Sequence, residues 1–232
     1  MSNNKVYLLA YPRSGSSFIR YSLGYLSRSK PMQPEGHSEL DKYLIDRYEN
    51  EPFFTKFHYP YDAGRKIIEE PNSTLVLLKR DPVENILSYI FSNEHINRKN
   101  FNDDYVKEFI NNFLLKNKTL FNEYYLNYKN NINYYNHWEG NKETIIYENF
   151  IDDPITEIIK IKDIFKIKQE SIDEYINNID YHRSLILSFK SSTKDPFNIN
   201  TKGKNKNKFK NLLSKSNLKW FNEILKKDGL IL

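Results

Sequence analysis

Four short clusters carry side chains that could hold and move an anionic group. The first is Tyr11-Pro12-Arg13-Ser14-Gly15-Ser16-Ser17. It lies between the apolar run Val6 to Ala10 and a stretch where Phe18, Ile19, Ser22, Leu23 and Leu26 recur at helical spacing. A Gly with small hydroxyl residues at a strand-to-helix turn exposes backbone N–H groups, and the helix dipole favours an anion there. Arg13 adds a planar cationic fork suited to phosphate or sulfate oxygens. The turn is P-loop-like, but the G-x-x-x-x-G-K-[ST] spacing of a Walker A loop is absent. An ordinary βα turn uses the same residue types. The second cluster is Thr55-Lys56-Phe57-His58, where an extended backbone puts Lys56 and His58 on one side, a cation next to a titratable base. The third is Arg80, one residue before a helix-start signature, with Ser88 eight residues on. The fourth is Thr201-Lys202-Gly203-Lys204, where Gly permits close approach of a ligand and Lys supplies charge. His37, His95, His137 and His182 show no ligand spacing, so no zinc site is expected.

These clusters need a frame that places strand ends and helix starts together. Thr74 to Leu78 is the clearest strand. Phe53 to Phe57 and Thr144 to Tyr147 are further candidates. Asp81-Pro82-Val83-Glu84 reads as N-cap, N1 and N3 of a helix continued by Ile86, Leu87 and Ile90. Ala63 to Glu70 reads as a short helix stopped by Pro71. Asp103 to about Tyr128 reads as one longer helix, and Tyr128 to Gly140, polar and Asn-rich, as a loop. Asp153-Pro154 opens a helix through Ile158, Ile161 and Phe165, and Leu218 to Lys227 forms the last one. Strands alternating with helices predict an α/β fold: a central, mainly parallel sheet flanked by helices, with the P-loop-like turn after the first strand. No repeat or linker divides residues 1–232, so one domain is expected.

The 232 residues carry a net charge of +5 and no cysteine, which excludes disulfides and thiolate chemistry. Mean hydropathy is −0.73. No apolar run approaches the roughly 18–20 residues of a membrane span, and Val6 to Ala10 is too short for a signal-peptide core. A cytoplasmic protein with no membrane partner is the expectation. Thr201 to Lys227 holds nine Lys and one acidic residue, Glu223, a local charge of +8 that leaves −3 on the rest. Such a tail asks for an anionic partner: a phosphate ligand, nucleic acid or a membrane surface. Asn occurs 29 times and Ala only at Ala10 and Ala63, a bias toward A/T-rich codons that dilutes the meaning of Lys and Asn runs.

In order, the clusters resemble the PAPS-dependent sulfotransferase family, where PAPS is 3′-phosphoadenosine 5′-phosphosulfate. Tyr11 to Phe18 resembles the family's 5′-phosphosulfate loop, Y-P-K-S-G-T-T-W. Lys79-Arg80-Asp81-Pro82 with Ser88 and Tyr89 resembles its 3′-phosphate motif, R-x-P-x-D-x-x-x-S-Y. Lys56-Phe57-His58 resembles K-T-H, which carries the catalytic His in cytosolic members. Tyr147-Glu148-Asn149-Phe150 with Asp153-Pro154 resembles Y-E-D-[ML]…D-P, and Lys202-Gly203 the end of R-K-G. The likeness spans residues 5 to about 222. Arg13 stands for the usual Lys, Phe18 for Trp, and Thr201 for the Arg of R-K-G.

The resemblance implies transfer of a sulfuryl group from PAPS to a hydroxyl or amine of a small molecule or glycan, leaving PAP, with no metal. It implies His58 as base, with Glu35 or Glu39 as alternatives, and Arg13 and Lys56 on the developing charge. It puts Ser14, Gly15, Ser16 and Ser17 on the 5′-phosphate, and Arg80, Ser88, Lys202 and Gly203 on the 3′-phosphate. Phe18 and Tyr147 would flank the adenine. On that reading the basic segment 201–227 contributes to the cofactor site and nucleic acid is not the expected partner. The rivals are a P-loop nucleotide kinase and a nucleic-acid-binding protein using the Lys-rich tail. Acceptor identity and oligomeric state are not written in these motifs.

Overall fold

The computed structural model describes residues 5–32, 44, 46–62, 65–68, 70, 72–94, 102–192 and 208–230. Its centre is a four-stranded, wholly parallel sheet of order β2-β1-β5-β6: β1 (Lys5–Ala10), β2 (Phe54–Phe57), β5 (Ser73–Lys79) and β6 (Asn141–Ile146). The continuous apolar runs predicted parallel strands buried on both faces, and that is what they form. Val6, Leu8, Val76, Leu78 and Phe54 face one side, where α1 (Ser16–Ser27), α6 (Pro154–Ile161) and α7 (Gln169–Asn177) close the core. Tyr7, Leu9, Leu75, Leu77 and Phe57 face the other, covered by Trp138 and its neighbours. A helical cluster joins α2 (Pro82–Glu94), α3 (Asp103–Lys116), α4 (Lys118–His137), α9 (Lys208–Leu212) and α10 (Lys215–Lys227) around Phe91, Phe121, Phe209 and Phe221.

The chain leaves β1 toward β2 and leaves β5 toward β6, on the opposite side. The crevice at the carboxyl ends of β1 and β5 is therefore the topological switch point, where open α/β sheets bind ligands. The loop at Tyr11 and the residue Arg80 sit at those two ends.

Three local expectations are corrected. The segment read as a helix from Ala63 to Glu70 instead holds β4 (Arg65–Lys66), antiparallel to β3 (Tyr61–Asp62), with Ile67 N–H donating to Pro60 O at 2.9 Å. Ile67 is buried against the sheet, and that contact overrides a weak helical period. The helix from Asp103 breaks at Asn117, whose φ of −119° and ψ of 48° leave the helical region. The loop expected from Tyr128 to Gly140 is helical as far as His137. Phe121, Tyr125, Tyr128 and Ile132 keep the period of about 3.6 and pack inward, so the Asn residues between them ride on an ordinary amphipathic helix. A lesser difference is that Tyr147 opens α5 (Tyr147–Asp152) instead of ending β6.

The face lined by α7 also buries His182 of α8 (Ile179–Ser192), which is 1% exposed and stacked on Tyr175 at 4.7 Å. Its Nδ1 shares a 3.0 Å hydrogen bond with Tyr21 Oη, and Nε2 is buried without a partner. Burial, helped by the charge of Arg47, pushes its pKa down to about 4. The unfolded chain, with a value near 6.5, therefore binds more protons between pH 6.5 and 4, and stability falls as the pH drops through that window. The expected loss is about 3 kcal/mol. The difference in stability between the parent protein and His182→Gln, from urea unfolding at pH 7 to 4, should change by that amount, because every other titrating group is common to both proteins. An unchanged slope in that variant would rule out His182 as the cause.

Candidate active site

The loop after β1 is held by its carbonyls. Asn85 Nδ2 of α2 donates to Pro12 O at 2.7 Å, and Arg80 Nη1 donates to Arg13 O at 2.6 Å. Ser14 N–H closes a turn onto Tyr11 O at 3.1 Å, and Gly15 O receives the N–H groups of Phe18 and Ile19. Arg13 has φ of 66° and Gly15 φ of 88°, both in the left-handed region. A Cβ on Gly15 would overlap the Tyr147 ring at Cε2, Cδ2 and Cζ, so glycine is required by space as well as by φ. No side chain caps α1. The amides of Gly15, Ser16 and Ser17 precede the first intrahelical bonds and present the positive end of the helix dipole beside Arg13.

Arg80, 7% exposed, stands at the end of β5 under the Tyr147 ring, 5.2 Å from its centroid. Its Nη2 lies 3.9 Å from Glu84 Oε2. Its Nε is buried with no partner, and so are the hydroxyls of Ser14 and Ser88. Each unsatisfied buried polar group costs about 1–3 kcal/mol, and native folds keep few of them without a reason. Ser14, Arg80 and Ser88 thus offer unused donors on the loop, at the adjoining strand end and on α2. Burial pushes the Tyr147 phenol up, so it stays neutral.

Lys56 and His58 follow at the end of β2. His58 Nδ1–H donates to Ala10 O at 2.7 Å, which puts the lone pair on Nε2. Lys56 Nζ is 3.3 Å from that Nε2. Asn131 Nδ2 donates to His58 O at 2.7 Å and fixes its backbone. The C-terminal edge of the sheet thus brings together a cationic loop, a buried arginine and a base with its lone pair set by a neighbouring carbonyl. That combination offers cationic and N–H donors for an anion and, at the neighbouring strand end, a group able to accept a proton.

Of the expected site residues, the structure gathers Arg13, Ser14, Gly15, Ser16, Ser17, Lys56, His58, Arg80, Ser88 and Tyr147 on one sheet edge or the helices rising from it. Phe18, expected beside a base, is 2% exposed and packs edge-on against Phe150, where it fixes the first turn of α1. Glu35, Glu39, Thr201, Lys202, Gly203 and Lys204 lie outside the described residues. The motifs did not single out Asn85 or Asn131, whose bonds reach across 73 residues and leave no local trace. Glu84 was visible only as a capping residue.

No helix among the described residues is long and apolar enough to cross a membrane. No curated protein matches the sequence. The fold resembles that of mouse sulfotransferase SULT7A1 complexed with PAP, with a TM-score of 0.63 and 12% identity, covering 98% of this chain and 85% of that one. A sulfotransferase domain from the curacin biosynthetic pathway aligns over 71% of this chain and 74% of that chain, at 15% identity and a TM-score of 0.45. The family model described as "Sulfotransferase domain" matches residues 3–228, nearly the whole chain. The chain therefore belongs to the sulfotransferase family, a family of transferases that move sulfate groups.

Proposed function

We propose that this chain transfers a sulfuryl group from PAPS to a hydroxyl or amine of a small molecule or glycan, leaving PAP. The observation that carries the reading is the set of buried, unpartnered donors, Ser14 Oγ, Arg80 Nε and Ser88 Oγ, around an uncapped helix N-terminus. They fit a ligand with two separate phosphate-type groups. The similar mouse sulfotransferase is complexed with PAP, which has two such groups. PAPS supplies the activated sulfuryl group when bound.

The chain's own residues do the rest by position and charge. Amides of Gly15, Ser16 and Ser17 with Ser14 Oγ bind the 5′ side, and Arg13 balances charge that grows on the departing oxygen. Arg80 and Ser88 bind the 3′-phosphate, with Lys202 and Gly203 assigned to the same group. Tyr147 lies on the adenosine side of the loop. His58 Nε2 accepts the acceptor's proton, Ala10 O holds the ring in the right tautomer, and Lys56 faces the sulfuryl oxygens.

PAP should raise the melting temperature well above the effect of ADP or AMP, with or without Mg²⁺. Equal stabilisation by AMP would defeat the cofactor assignment, and a strict Mg²⁺ requirement with a nucleoside triphosphate would favour the kinase reading. With a competent acceptor, His58→Ala should lower kcat by about 10²–10⁴-fold, the usual worth of a general base. PAP affinity should stay within twofold. Retention of most of the rate would move the base elsewhere.

A further inference from the structure

One of the buried ionisable groups that the mechanism leaves unused lies against the site. Glu84 is completely buried in the first turn of α2. It accepts the backbone N–H of Lys210 in α9 at 2.8 Å, and its Oε2 faces Arg80 Nη2 at 3.9 Å with no hydrogen bond of its own. Asp81 joins the same knot. Its Oδ1 accepts Glu84 N–H at 3.1 Å, its carboxylate pairs with Lys210 Nζ, and its own N–H donates to Glu148 Oε1 at 3.0 Å. Strand β5, helix α2, helix α9 and helix α5 therefore meet beside Arg80 through three carboxylates, those of Asp81, Glu84 and Glu148.

We propose that Glu84 is a positioning residue for Arg80, holding the guanidinium for the 3′-phosphate and tying it to α9. This rests on the reading of Arg80 as a 3′-phosphate ligand. The argument is one of cost. A buried carboxylate is expensive, and burial pushes the Glu84 pKa up to about 7 despite Arg80 and the Lys210 amide. A neutral residue of the same shape would serve the fold better. What the carboxylate adds is a fixed Arg80: Nη1 is held by Arg13 O and Nη2 lies opposite Glu84, so the remaining donor meets a ligand with little rotamer freedom left to lose. Pre-ordering of this kind strengthens binding of the group that Arg80 touches and nothing else.

The test uses Glu84→Gln, which keeps shape and the acceptor for Lys210 N–H but removes the charge. At pH 8, calorimetric titrations with PAP and with AMP, which lacks the 3′-phosphate, are compared with the thermal midpoint. The expected result is a roughly tenfold weaker PAP affinity, an AMP affinity within twofold and a melting temperature equal to or above that of the parent protein. Arg80→Ala, as the control, should remove the preference for PAP over AMP. A Glu84→Gln protein with the parent's PAP-to-AMP ratio, or one weakened equally for both, would overturn the positioning role. A parent protein with no preference for PAP over AMP would instead overturn the assignment of Arg80, and this role with it.

Discussion

Gly15→Ala is expected to cost about 2–5 kcal/mol of stability and to weaken PAP binding by at least tenfold. Two causes act at one atom. The φ of 88° is a conformation that an L side chain adopts only at a cost of about 1–2 kcal/mol. The new methyl group would also occupy the edge of the Tyr147 ring. That ring cannot simply swing away, because it is packed against the core beneath α1 and lies over Arg80. Either the ring moves and disturbs Arg80, or the loop moves and carries the amides of Gly15, Ser16 and Ser17 out of place. Each lost hydrogen bond to a charged ligand is worth about 1.5–3 kcal/mol, so a single displaced amide accounts for the tenfold loss. A double variant separates the causes. With Tyr147→Ala already present, Gly15→Ala should cost only the backbone term, and the two changes should couple by about 1 kcal/mol or more in urea unfolding. Additive costs would mean that the close approach of Tyr147 to Gly15 does not set the requirement for glycine.

How much of this could be read beforehand follows from which forces act locally. Val6 to Ala10 and Thr74 to Leu78 announced buried parallel strands because burial on both faces leaves an uninterrupted apolar run. The turn between β1 and α1 was legible because Gly and small hydroxyl residues stand where an apolar run gives way to a helical period. The start of α2 was legible only in part. Asp81 does cap Glu84 N–H, but Glu84 does not return the bond to Asp81 N–H. That N–H goes to Glu148, and Glu84 goes to Lys210. Both partners lie 67 or more residues away, and the choice between local and distant acceptors is made by packing. The stretch after Tyr128 misled for the opposite reason. Its Asn residues look like loop chemistry, yet Asn131 is buried and spends its amide on His58 O. Composition biased toward Asn hides a helix whose period is kept by the aromatics and Ile132.

The second large effect is expected at Arg80, and its sign with pH is the informative part. Arg80→Ala removes the donor to Arg13 O and the only cation facing Glu84 Oε2 among the described contacts. Breaking a buried pair by deleting one partner typically costs about 3–5 kcal/mol, because the other charge is left uncompensated. Glu84 can escape that cost by taking a proton. Its folded-state pKa, already up at about 7, must rise further once Arg80 is gone. A carboxyl raised in the folded state contributes stability that is fully present below its unfolded value near 4.5 and is lost as the pH climbs through the folded one. The deficit of Arg80→Ala should therefore be small near pH 5, about 1–2 kcal/mol from the lost hydrogen bond, and grow by about 1.4 kcal/mol for each pH unit above 7 until the variant's own Glu84 ionises. Urea unfolding across that range measures it directly. Adding Glu84→Gln should restore most of the stability at pH 8 and remove the pH dependence, because no buried charge is then left alone. It should not restore PAP binding, which needs the guanidinium and is expected to fall about a hundredfold without it. If the double variant stayed as unstable as Arg80→Ala at pH 8, the loss would come from the loop bond to Arg13 O, and Glu84 would be a bystander. If it regained PAP affinity, the 3′-phosphate would be held by some other residue.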